Sequence, residues 1–76
     1  MLNPVKPPMS DAAKAAGMRS RARGIREQAR RAQLRAARMA PGLERDMLAT
    51  QATMLAEGAE HLETQALALD PAMGTA

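Results

Sequence analysis

Between residues 11 and 69 the apolar positions return in alternating steps of three and four, the spacing that holds one stripe on one side of an α-helix. Two such stripes are present. The first runs through Ala15, Met18, Ala22, Ile25, Ala29, Ala32, Ala36 and Met39, the second through Leu48, Ala52, Leu55, Ala59, Leu62, Ala66 and Leu69. With Ala15 and Ala52 named as a positions, alanine fills the a sites of both heptad seams and larger residues fill nearly every d site. Small residues in alternate layers let two helix axes approach more closely than in a leucine zipper.

Local signals set the ends of these elements. Ser10 is a good N-cap, Asp11 adds negative charge to the first turn, and the alanine-rich run that follows favours helix, so a first helix is predicted over residues 11–39. Pro41 and Gly42 break the pattern, Glu44 and Asp46 suit the first turn of a second helix over 43–69, and Asp70-Pro71 stops it. Residues 1–10, with Pro4, Pro7 and Pro8, read as a disordered tail, and 70–76 as a frayed end.

The predicted fold class is therefore all-α, an antiparallel two-helix hairpin with an Ala/Leu heptad seam, paired into a four-helix bundle. Folding back at Pro41-Gly42 sets Ala15 against Leu69, Met18 against Ala66, Ala22 against Leu62, Ile25 against Ala59, Ala29 against Leu55 and Ala36 against Leu48. The exception is Ala32 opposite Ala52, a thin layer that invites a side chain from a second subunit. Met47 and Met54 lie seven apart beside Leu48 and Leu55 and widen the apolar side of the second helix beyond what one neighbour covers. Met47, Met54, Ala32 and Ala52 are the expected association face. The competing arrangement is one long helix kinked at Pro41 and built into a larger assembly.

Composition supports association. Alanine supplies 18 residues, against eight leucines and seven methionines, and alanine buries little area, so a lone 76-residue monomer is expected to be marginal. The chain contains no cysteine and no aromatic residue, which rules out disulfides, cysteine-ligated zinc, a thiol nucleophile and base stacking on aromatic rings. Its apolar runs are at most four residues long, too short for a spanning helix or a signal-peptide core, so a cytoplasmic protein is expected and a membrane partner is not.

Charge divides the hairpin. From Ser10 to Ala40, nine basic residues face Asp11 and Glu27, a balance of +7; from Pro41 onward Arg45 faces six acids, a balance of −5. Arg19, Arg23, Arg26 and Arg30 follow steps of four, three and four and form a basic stripe, the expected contact surface, with Arg19 in reach of Glu63 across the hairpin. Three readings fit that stripe: a solvated face with weak ion pairs, an acidic protein surface that includes another copy's second helix, or nucleic-acid phosphate.

Catalytic motifs are absent. His61 stands four residues after Glu57 on the solvent side of the heptad, and the residue three before it is Gly58, so an ordinary exposed histidine is expected and no metal site. No nucleophile elbow or phosphate-cradling glycine loop occurs, and Gly17, Gly24 and Gly58 are single residues inside helical patterns. No enzyme activity and no cofactor is expected.

The stretch from Arg21 to Arg30, the run Pro41-Gly42-Leu43-Glu44-Arg45-Asp46-Met47-Leu48, and then Leu55, Ala59, Leu62 and Ala66 resemble short uncharacterised helical-hairpin proteins of alphaproteobacteria. The resemblance covers roughly residues 19–66 and implies a basic first helix, a proline turn and an Ala/Leu second helix, though this chain lacks the aromatic residue usual there. It implies no activity. The Ala/Leu alternation is also similar to plasmid copy-control hairpins, which dimerise into four-helix bundles and bind paired RNA loops. Together these patterns lead us to expect a small non-catalytic structural or adaptor protein whose partner is itself or a larger protein assembly, with nucleic-acid binding through the arginines as the rival.

Overall fold

The computed structural model describes residues 10–71 and contains two helices, α1 (Asp11–Ala37) and α2 (Leu43–Leu69). Ser10 begins α1 as its N-cap: its Oγ accepts from the Ala13 backbone N–H at 3.1 Å, satisfying one of the donors that a helix start leaves open. The N-cap of α2, Gly42, has no side chain for this task. Glu44 and Asp46 stand in that first turn instead, where their charge favours the exposed N–H groups.

Helix α1 stops at Ala37, two residues short of the expected Met39. Pro41 disfavours helical backbone at Ala40, and the chain leaves the helix by tightening its last turn: Arg38 N–H donates to the Arg35 carbonyl at 3.1 Å and Met39 N–H to that of Ala36 at 3.0 Å. At the far end, Asp70 N–H still reaches the Ala66 carbonyl at 2.9 Å before Pro71 ends α2. The expected tail, apart from Ser10, and the residues after 71 lie outside the described residues.

The helices pack against each other, so α2 folds back along α1 and does not continue it as a kinked rod. Alanine alone makes the sealed core. Ala15, Ala22, Ala29 and Ala36 of α1 and Ala52, Ala59 and Ala66 of α2 are buried, seven residues apart within each helix. No bulkier side chain is fully enclosed among the described residues. Met18, Ile25, Ala32 and Met39, with Leu48, Leu55, Leu62 and Leu69, are half-buried. They cover the alanine core and keep one flank in solvent. Among the described residues, no helix is long and apolar enough to cross a membrane.

Candidate functional site

Two long faces flank the alanine core, and they differ in chemistry. On one, a groove near the bend is lined by Gln28, Arg31, Ala32, Arg35, Leu48, Gln51 and Leu55. Its neighbour is lined by Arg35, Met39, Glu44, Met47, Leu48 and Gln51, and a third depression carries Leu43, Asp46, Met47, Thr50, Gln51, Met54 and Leu55. Shared residues join the three into one apolar surface with arginines at its edge. Met47 and Met54 are 63% and 66% exposed, well beyond the half-buried leucines beside them.

Leu43, at 74% exposure, extends this surface to the bend. Sequence reasoning passed it over because it lies outside the seam, yet its spacing of four from Met47 places both on one side of α2. Ala32 is half-buried in the first groove. Ala52 is the correction. At 0% exposure it is sealed between the helices and offers nothing to a partner, because the a position points along the shortest path to α1.

The other face is where charge is matched. Arg26 grips Glu63 in a fork: Nε donates to Oε2 at 3.0 Å and Nη2 donates to Oε1. The expected partner of Glu63 was Arg19. Instead Arg19 Nη2 donates to the Asp70 carbonyl at 3.3 Å, where its positive charge meets the negative end of α2. The other terminal nitrogen of Arg19, Nη1, is buried and makes no hydrogen bond among the described residues. A shallow recess lined by Arg19, Arg23, Glu63 and Leu67 lies between them.

The four stripe arginines are thus unequal. Arg26 and Arg19 are occupied within the hairpin, whereas Arg23 and Arg30 are exposed. The hydrogen bonds from Arg26 hold the Glu63 carboxyl below its ordinary value against the opposing effect of burial, and the same contact raises Arg26 further. Elsewhere among the described residues the ion pair is Arg31 with Glu27 at 3.4 Å, one turn apart on α1. Arg21, Arg35 and Arg38 are exposed as well.

His61 is exposed, and no group of three His, Asp or Glu side chains converges among the described residues. Thr53 and Thr64 donate back to the carbonyls of Ala49 and Glu60, which occupies their hydroxyl protons within α2. No known family, curated protein or solved structure matches this chain.

Proposed function

We propose that the protein is a small non-catalytic structural or adaptor protein that acts through helix–helix association, its hairpin doubled into a four-helix coiled-coil bundle in the cytoplasm. The observation that carries this reading is the apolar surface around Met47 and Met54, which the hairpin leaves uncovered. Contiguous exposed apolar surface of this kind marks an interface, and methionine packs adaptably against a second chain. A core of alanines supports the same reading, since it encloses little area and leaves the flanking leucines and methionines to gain from a neighbour.

A second reading rests on the exposed basic residues of α1. Arg21, Arg23, Arg30, Arg35 and Arg38 have no carboxylate partner among the described residues, the state in which they are available to nucleic-acid phosphate. Salt separates the two. The mass of the purified protein is measured by light scattering at low and at about 0.5 M salt, with and without bulk nucleic acid. A salt-insensitive dimer that ignores nucleic acid supports the bundle; a monomer that gains mass only with nucleic acid at low salt replaces it with the second reading.

A further inference from the structure

We infer that the two copies of the proposed bundle meet through their apolar faces with both bends at the same end, each basic α1 lying over the partner's α2. This topology rests on the association proposed above and adds its geometry. The face is defined by the groove that brings Arg31 and Arg35 together with Leu48, Gln51 and Leu55. Steps of seven along a helix drift by only about 20°, so the same side can be followed along both elements.

On α1, seven-residue steps lead from Arg35 through Gln28 to Arg21 and Lys14, and from Arg31 to Gly24 and Gly17. On α2 they lead from Gln51 to Gly58 and Gln65, and from Met47 through Met54 to His61. The face is therefore basic along α1, while α2 brings Glu44 and Asp46 to it at the bend and no formal charge at Gln51, Met54, Gly58 or Gln65. It is also bare at Gly24 and Gly58, where an added Cβ would meet nothing within 4 Å. The hairpin leaves that space open, and a second copy's Leu and Met side chains can enter it.

Size fits a stable dimer. Helices of 27 residues are about 40 Å long, and two of them side by side present a strip roughly 20 Å wide, hence about 800 Å² per copy, the usual share of a specific interface. Two closed two-fold arrangements lay one such face on another. An axis across the helices puts α1 on α1 and the bends at opposite ends, which lines Lys14, Arg21, Arg31 and Arg35 of both copies along one seam. An axis along the helices puts each α1 on the partner's α2. That second arrangement separates the basic rows onto opposite corners and brings Arg31 and Arg35 toward the Glu44 and Asp46 end of the partner's α2 at the shared bend.

The chain has no cysteine, so one introduced at the exposed Ala40 in the bend, A40C, takes a single spin label per copy. Dimer formation is checked by light scattering, and the label-to-label distance is then read by pulsed electron resonance. Bends at one end predict a separation below about 25 Å, and opposite ends predict about 40 Å, the length of a helix. The long distance overturns this topology while leaving the bundle intact. A labelled protein that is monomeric at every concentration overturns the bundle and the topology together. A12C, at the open end, repeats the measurement with the same two expectations and stands in if A40C fails to fold.

Discussion

The two long faces of the hairpin solve opposite problems. On the arginine–carboxylate face, Arg26 and Glu63 neutralise each other and Arg19 donates to the end of α2, so most of the pairing there comes from the hairpin's own residues, with Arg19 Nη1 left over. On the apolar face, Leu48, Leu55 and Ile25 stay half in water, and Leu43, Met47 and Met54 stand mostly in it. Polar groups can be finished locally because each needs one partner at one distance, whereas apolar surface is finished only by area. One face therefore trims the fold and the other stays open to solvent.

The sharpest way to break that contrast is to push the faces apart from within. Ala22→Leu or Ala59→Leu forces a large side chain between helices that meet through alanine and is expected to cost about 1–3 kcal/mol or more, enough to remove the cooperative melt followed by circular dichroism. A next, smaller effect isolates the apolar face. The pair Met47→Gln with Met54→Gln leaves the alanine core untouched, and is expected to keep the helical spectrum while weakening self-association at least about tenfold, near 1.4 kcal/mol. A tenfold weaker dimer with unchanged helicity places the energy on this face; unchanged association removes it from the interface.

Gly17→Ala sharpens the comparison from the other direction. Nothing lies within 4 Å of the added methyl, so the helix gains about 1 kcal/mol of intrinsic preference and the melting temperature rises. Smallest is the effect of the charged face. The lowered carboxyl of Glu63 contributes stability that is fully present above the ordinary glutamate value of about 4.3 and is lost as pH falls through its lower folded value. Glu63→Gln is expected to cost little at neutral pH and to remove that part of the acid dependence, as read from melting curves between pH 2 and pH 6. An equal acid dependence in the variant excludes Glu63 as its source.

The two-helix architecture was readable because its signals are local and repeated: alanines every seven residues, a serine cap, and proline at the bend. The exposed apolar face was readable in part. Met47 and Met54 announced themselves as apolar residues outside the seam, and the heptad put Ala52 in the seam, but its expected opening to a second subunit fails because Ala52 is fully enclosed. Pairing on the other face was misread for a different reason. Arginine and glutamate side chains span more than a helical turn between them, so a sequence register names several partners for Glu63, and only the packed geometry selects Arg26 over Arg19. Leu43 escaped because one leucine beside a turn carries no period of its own.

The alanine core also governs how the protein responds to temperature. Heat capacity rises on unfolding in proportion to the apolar area uncovered, and a hairpin that among its described residues fully encloses only alanines, with its leucines and methionines at most half-buried, uncovers less of it than a leucine-filled core. Its free-energy curve should accordingly be shallow, losing stability slowly toward both heat and cold. Steep curvature in calorimetry would then belong to the contact between copies, and its growth with protein concentration would measure how much of the thermal response two chains create that one chain lacks.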